Sequence, residues 1–305
     1  MPASLTVLGA GAWGSTLAML ALRNVHDVRL WSRRGALTLP AALDGTAVIV
    51  SAVSMKGVTE LAEQLRQNPL PESVILVSAT KGLDRATGQT PSQLWRSALP
   101  HNPVVVLSGP NLSKEIAAGL PAATVAASRV RPAAQQVQQV FASDRFRVYT
   151  NQDPTGTELG GTLKNVIAIA VGVCDGLQLG TNAKAALITR ALPEMIRIGT
   201  RLGGEAETFY GLSGLGDLLA TCNSNLSRNY QVGIGLAQGK SLDQVLATLE
   251  GTAEGVNTAQ VLVEVAHKEG IAVPIAFQVA LLLQGKITPQ QAVEALMERD
   301  LKPEI

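Results

Sequence analysis

A chain of 305 residues, 46% of them hydrophobic and 16% charged, exceeds what one core usually supports, so an ordered protein of two domains is expected. Lysine plus arginine number 25 against 24 acidic residues, a balance that offers neither a basic field for nucleic acid nor a polybasic patch for membrane binding. Cys174 and Cys222 form no CxxC and the histidines (His26, His101, His267) are scattered, so no disulfide framework and no metal site are expected. The opening MPASLTVLGAGAWG lacks a basic leader, and no run of about 18 apolar residues suggests a membrane span. A cytoplasmic protein without membrane insertion is the expectation.

The first half repeats one theme, short β-branched runs ending in glycine, serine or lysine with helix-like segments between them. In chain order the strand candidates are LTVLGAG, VRLWSRR, AVIVSAV, VILVSATKG, VVVLSGP, ATVAAS and RFRVYT. Apolar strands separated by longer connections predict a parallel sheet covered on both faces. Only twelve residues, Gly35 to Thr46, join the second candidate to the third. A parallel crossover needs about a dozen residues, so its helix should be very short or absent.

After Thr150 the pattern becomes helical: 157–177, 183–202, 214–223, 227–238, 241–248, 255–269, 273–284 and 289–298, punctuated by Gly203–Gly204, Gly239 and Gly270. The predicted fold class is an α/β N-terminal Rossmann-like doubly wound sheet (1–152) followed by an all-α C-terminal domain (153–305). The first should bind a dinucleotide and the second the substrate, with the ligand between them.

GAGAWG follows a strand and opens a helix, the context in which G-x-G-x-x-G binds a dinucleotide. Gly9 allows the tight turn, Gly11 lets a pyrophosphate approach the backbone, and Gly14 lets helix and strand pack closely. The phosphates then meet the N–H groups of the helix N-terminus. Where an NAD site places Asp or Glu at the end of the second strand, this chain has Ser32, Arg33 and Arg34. Guanidinium groups suit a 2′-phosphate, so NADPH/NADP is the preferred cofactor, with NAD possible.

LGGTLKNVIAIAVGV sets Lys164 at the head of an apolar helix, where an unpaired ammonium is costly. Lys81 closes the strand VILVSATKG at the sheet's carboxyl edge, and Gly109 ends the next strand, with Asn111 and Ser113 leading into a helix. Further on, GLSGLGDLLATCNSNLSRNYQVG gathers Asp217, Thr221, Ser227, Arg228 and Asn229.

Together GAGAWG, SATKGL, LSGPNLSKEIAAGLPAA, ELGGTLKNVIAIAVGVCDGLQLGTNAKAALITRAL, GLSGLGDLLATCNSNLSRNYQVG and EGVNTA resemble the bacterial-type NAD(P)-dependent glycerol-3-phosphate dehydrogenases, in order and over nearly the full chain. Family members usually carry a longer insert after the second strand. The resemblance implies interconversion of dihydroxyacetone phosphate and sn-glycerol 3-phosphate, feeding phospholipid synthesis, and a homo-oligomer, a dimer. It makes Lys164 the proton donor and acceptor. Lys81 contacts substrate and cofactor, Gly109 and Asn111 line the substrate site, and Asp217, Ser227, Arg228 and Asn229 complete it. Ser113, Trp13, Arg33, Arg34, Arg228 and Glu254 lie at the cofactor.

Hydride delivery to a ketone builds alkoxide charge that needs a proton or a positive neighbour, and a lysine at a dry helix head supplies both. Gly160 and Gly161, on the same helical face, should leave room for substrate. Burial lowers the lysine pKa while Asp217 and a substrate phosphate raise it, which leaves the net direction open. Two alternatives are a dehydrogenase of the 6-phosphogluconate or 3-hydroxyisobutyrate type and a non-catalytic NADPH sensor. SGLGDLLATC and SRN do not fit the first, and a sensor has no need of Lys81, Lys164 and Asp217 together.

Overall fold

The computed structural model describes residues 3–68, 70–301 and 303. Seven strands form one sheet: β1 (Ser4–Leu8), β2 (Asp27–Trp31), β3 (Val48–Ser51), β4 (Ile75–Ser78), β5 (Val104–Ser108), β6 (Ala122–Ala127) and β7 (Phe146–Asn151). Between them lie helices α1 (Ala12–Arg23), α2 (Leu39–Leu43), α3 (Met55–Gln67), α4 (Pro91–Ala98), α5 (Ser113–Ala117) and α6 (Arg131–Phe141). The strand order is β2-β1-β3-β4-β5-β6-β7, so the chain reverses direction across the sheet at β1 and β3 and opens a crevice at their carboxyl ends.

Alternation along each strand divides its apolar side chains between the two faces. Leu5, Val7, Val48, Val50 and Val77 pack with Leu17 and Leu20 of α1 and Val137 and Phe141 of α6. Leu8, Ile49 and Leu76 pack on the other face with Val58 and Leu61 of α3 and Trp95 of α4. The short crossover after β2 keeps a helix, the five-residue α2, whose Thr38 cap accepts from the Ala41 N–H.

The sheet is not wholly parallel as the sequence predicts, because β6 runs antiparallel to β5. The link between them holds only the five-residue α5, too short to carry the chain back along the sheet, whereas the eleven-residue α6 returns it to a parallel β7. Buried strands read alike in either direction, which hides the reversal from the sequence.

Beyond β7 come α7 (Pro154–Gly176), α8 (Gly180–Arg201), α9 (Ala206–Phe209), a π-helical segment (Leu212–Gly216), α10 (Asp217–Cys222), α11 (Arg228–Ala237), α12 (Leu242–Thr248), α13 (Glu254–Lys268), α14 (Pro274–Leu283) and α15 (Pro289–Met297). In place of one helix over 214–223 there are two segments, the first of them π. α7 is the axis of this half. Contrary to the sequence reading it has the length and apolar character of a membrane span, with mean hydropathy 1.2 over its best window, yet 89% of that window is buried in this protein. Its Val166, Ile167 and Ile169 pack with Leu218 and Cys222 of α10, Val232 of α11 and Leu262 of α13.

Candidate active site

The glycine-rich turn sits at the β1–β3 crevice. Gly9 has φ +113° and a side chain there would lie 2.7 Å from the Ala52 carbonyl oxygen, so both conformation and space demand glycine. At Gly14 a Cβ would lie 1.8 Å from the Gly9 carbonyl oxygen, which sets how closely α1 returns to β1. Gly11 caps α1 without a side-chain acceptor, no acid occupies the first turn, and a Cβ at Gly11 would meet nothing within 4 Å. Open space thus faces the free N–H groups and positive end of a twelve-residue helix, which fits a pyrophosphate.

Trp13 is half-buried on the first turn of α1. Ser113 opens α5 beside that helix, its carbonyl accepting from Thr16 Oγ1 at 3.4 Å. Arg33 and Arg34 follow β2, both exposed. Arg33 Nη1 lies 2.6 Å from Glu60 Oε2, an exposed ion pair that costs little to exchange for another anion.

The chemistry concentrates where α7 crosses the carboxyl ends of β4 and β5. Asp153 starts this helix, accepting from the Gly156 N–H through Oδ1 and from the Glu205 N–H through Oδ2, each at 2.8 Å. Lys164, 6% exposed, donates from Nζ to Asp217 Oδ1 at 2.9 Å and to Thr221 Oγ1. Lys81, in the loop just beyond β4, donates to the other oxygen of Asp217 and lies 3.4 Å from the Gly109 carbonyl oxygen. One buried carboxylate therefore holds two ammonium groups, one from each half of the chain. Burial pushes the Lys164 pKa down from 10.5 to about 8; Asp217 raises it, and the nearby Lys81 charge lowers it further.

Asp217 owes its position to the π segment, a geometry that often marks functional sites. Ser213 and Gly214 lie so close to α7 that a Cβ at Gly160 would be 2.8 Å from the Ser213 carbonyl oxygen. A Cβ at Gly161 would be 2.2 Å from Ser108 Oγ and 3.3 Å from Lys81 Cε. These two glycines leave no room for substrate, contrary to expectation; they admit the π segment, Ser108 and Lys81 themselves.

The remaining expected residues divide. Asn111 Nδ2 donates to Thr124 Oγ1 at 2.9 Å, while its Oδ1 is buried without a protein partner. Gly109 packs against β6, where a Cβ would be 3.0 Å from the Thr124 Cα. Ser227 caps α11, accepting from the Tyr230 N–H at 3.2 Å. Both ends of the Asn229 amide are engaged inside the protein, Nδ2 with Asn165 Oδ1 and Oδ1 with the Gly255 N–H, each at 2.9 Å. Arg228 is exposed and lies against Gly251 and Glu254 rather than in the lysine cluster. Burial raises the Glu254 pKa, while Arg228 and a hydrogen bond from the Met55 N–H lower it, so Glu254 joins α13 to the start of α3.

Sequence reasoning left out Asn165 and Glu158, and it singled out Thr221 without giving it a role. Thr221 stands four residues after Asp217, on the same face of α10, a spacing that points to it. Glu158 is a buried acid on the same largely apolar helix, the same kind of signal that singled out Lys164.

Residues 153–294 match the family model for the NAD-dependent glycerol-3-phosphate dehydrogenase C-terminus, and residues 4–39 and 36–134 match that for the N-terminus. A glycerol-3-phosphate dehydrogenase (NAD(P)+) of Acaryochloris marina is 67% identical over 301 residues, 99% of this chain and 97% of that protein. Its namesake in Nostoc sp. is 66% identical over 302 residues, 99% of this chain and 98% of that one. The crystal structure of glycerol-3-phosphate dehydrogenase from Coxiella burnetii superposes with a TM-score of 0.93 at 35% identity, covering 98% of this chain and 99% of that one. A 3-hydroxyisobutyrate dehydrogenase of Mycobacterium tuberculosis, at 13% identity and TM-score 0.52, covers 97% of this chain and 99% of its own and shares the fold alone.

Proposed function

The chain belongs to the NAD-dependent glycerol-3-phosphate dehydrogenase family, and from that premise we propose how its residues divide the work of interconverting dihydroxyacetone phosphate and sn-glycerol 3-phosphate. A nicotinamide dinucleotide bound at the β1–β3 crevice would supply or accept the hydride at C2. Lys164 gives a proton to the carbonyl oxygen during reduction and takes it from the 2-hydroxyl during oxidation, so each reduction consumes one proton. A lysine held at about 8 carries a proton near neutral pH and releases it readily, as this role requires. Asp217 fixes the Lys164 ammonium through Oδ1, with Thr221 as its second partner. Lys81 shares the carboxylate and places a second positive charge beside the developing alkoxide. The buried Asn111 Oδ1, short of a donor within the protein, suits a substrate hydroxyl.

Residues 1–152 bind the dinucleotide, as NADPH in preference to NADH. Gly9, Gly11 and Gly14 shape the pyrophosphate cradle, Arg33 and Arg34 hold the 2′-phosphate, and Trp13, Ser113 and Glu254 border the cofactor. Residues 153–305 supply the proton donor and, through Arg228, a contact to the substrate phosphate. Ser227 and Asn229 act on that contact by fixing the first turn of α11, since their own side chains are engaged within the protein. The enzyme works as a cytoplasmic homodimer feeding phospholipid synthesis.

The observation that carries this reading is the Lys81–Asp217–Lys164 cluster at the same carboxyl edge of the sheet as a glycine-rich turn that suits phosphates. NADPH oxidation with dihydroxyacetone phosphate tests it. Lys164→Ala should abolish turnover while NADPH still binds, and near-normal turnover of that variant would remove Lys164 from the role.

A further inference from the structure

Glu158 lies six residues before Lys164 on α7, with only 2% of its surface exposed. Its Oε1 accepts from Ser78 Oγ at 2.8 Å and from the Ser92 N–H at 3.0 Å, and Oε2 is 3.2 Å from the same N–H. Ser78 ends β4 and Ser92 lies in the first turn of α4, so the two bracket the loop that carries Lys81. A third tie lies one turn along α7, where Thr162 Oγ1 accepts from the Gly82 N–H at 3.1 Å. The loop bearing one ammonium is thus fastened at three points to the helix bearing the other. Both ammonium groups must then meet the two oxygens of one carboxylate.

A buried carboxyl is expensive unless its oxygens are satisfied. Burial raises the Glu158 pKa, and hydrogen bonds from Ser92, Thr90 and Ser78 oppose that rise. A leucine would avoid that cost but leave the Ser92 N–H and Ser78 Oγ without their acceptor, so it is the carboxylate that ties these two points to α7.

We propose that Glu158 is a positioning residue, which through Ser78 and Ser92 holds the Lys81 loop in register with the Lys164 turn of α7 so that Asp217 engages both lysines at once. It touches neither substrate nor cofactor. In consequence α7, although it opens the helical half of the chain, is anchored to the sheet of the dinucleotide-binding half, and Lys164 keeps its place relative to that sheet. The inference rests on Lys164 being the proton donor.

Three variants test it, with turnover of dihydroxyacetone phosphate counted per NADPH-binding molecule. Glu158→Ala removes the ties to Ser78 and Ser92 and leaves that of Thr162 to Gly82. Glu158→Gln retains an oxygen for the Ser92 N–H and an amide that donates to Ser78 Oγ. Ser78→Ala removes one tie, no charge and little volume. Since displacements on the order of 1 Å can cost about a hundredfold, kcat should fall roughly 10–100-fold in Glu158→Ala and severalfold in Ser78→Ala, with Glu158→Gln within about threefold of wild type. NADPH affinity should hold in all three. Loosening the Lys81 loop withdraws a charge that lowers the lysine pKa and leaves Asp217 to Lys164, so Ser78→Ala should also move the alkaline limb of kcat/KM above its wild-type position. The groups facing Lys164 there are Asp217, Lys81 and Cys222.

Wild-type kcat and an unmoved limb in Ser78→Ala and Glu158→Ala, even with lowered melting temperatures, would show Glu158 to be structural only. Equal losses in Glu158→Gln and Glu158→Ala with no effect of Ser78→Ala would assign the effect to charge, which also overturns positioning. If Glu158→Ala does not fold, the limb and kcat of Ser78→Ala decide. Lys164→Ala, run in parallel, separates the two readings. An active Lys164→Ala removes the proton donor itself, whereas a dead one beside unaffected latch variants refutes only the latch.

Discussion

Replacing Lys164 with methionine should make the protein more stable and nearly inactive. The lysine pKa falls from 10.5 to about 8 on folding, chiefly because its ammonium is buried. At pH 7 that shift corresponds to about 3 kcal/mol of stability forgone, at about 1.4 kcal/mol per pKa unit. The sign follows from proton counting. Between about 8 and 10.5 the unfolded chain holds a proton that the folded one has released, so wild-type stability rises with pH across that window and the cost is complete below it. Methionine matches the lysine stem in length and carries no charge. Asp217 keeps Lys81 as a partner, and Thr221 Oγ1 still lies 3.3 Å from Asp217 Oδ1, so the substitution strands no buried carboxylate. The Asp217 attraction is already contained in that shift; losing the Thr221 hydrogen bond, about 1 kcal/mol, leaves a net gain of about 2 kcal/mol at pH 7, or roughly 4–8 °C in Tm. Turnover should fall by about 10²–10⁴, the range for losing a positioned acid–base group. Calorimetry of both proteins at pH 7 and pH 10, beside steady-state NADPH oxidation, provides the assay. The Tm difference should shrink at the higher pH as the wild-type lysine loses its proton. A methionine variant less stable than wild type at pH 7, or a difference that ignores pH, would refute the claim that the lysine charge is held against a desolvation cost.

The same group sets the pH dependence of catalysis: kcat/KM for reduction needs the ammonium and should decline as pH rises through about 8, whereas kcat/KM for glycerol phosphate oxidation needs the free amine and should climb through the same value. Matching limbs in both directions would dissociate Lys164 from the proton transfer. Changing Arg33 and Arg34 together to serine should raise the KM for NADPH far more than that for NADH, because only the former carries the 2′-phosphate; equal losses would show that these side chains do not read it. Arg228→Ala should lower kcat/KM for dihydroxyacetone phosphate by a factor on the order of 10²–10³, the loss of a charge-assisted phosphate contact, and scarcely affect unphosphorylated dihydroxyacetone. A penalty confined to the KM for NADPH, alike for both ketones, would place Arg228 at the cofactor through its neighbour Glu254.

Some features of this protein are written locally. A β-branched run, a glycine that alone tolerates φ +113° and a helix whose first turn has no cap make the phosphate-binding turn recognisable within a dozen residues. The seven strands, the brevity of α2 and the oddity of a lysine in an apolar helix are legible for the same reason, since each depends on neighbours in sequence. Strand direction is not local: β5 and β6 are mostly apolar and largely buried, and only the length of path available to α5 turns one against the other. Nor is the pairing of Lys81 with Asp217, 136 residues apart, or of Lys164 with Asp217, 53 residues apart. The π segment, the filling of the space at Gly160 and Gly161 by protein, and the hold of Glu158 on Ser78 and Ser92 likewise arise where distant segments meet. Sequence thus names the ionisable groups. The pKa of Lys164 becomes definite only when packing removes water and sets one carboxylate between two ammonium groups, because desolvation and Coulomb energy depend on distances in space rather than along the chain.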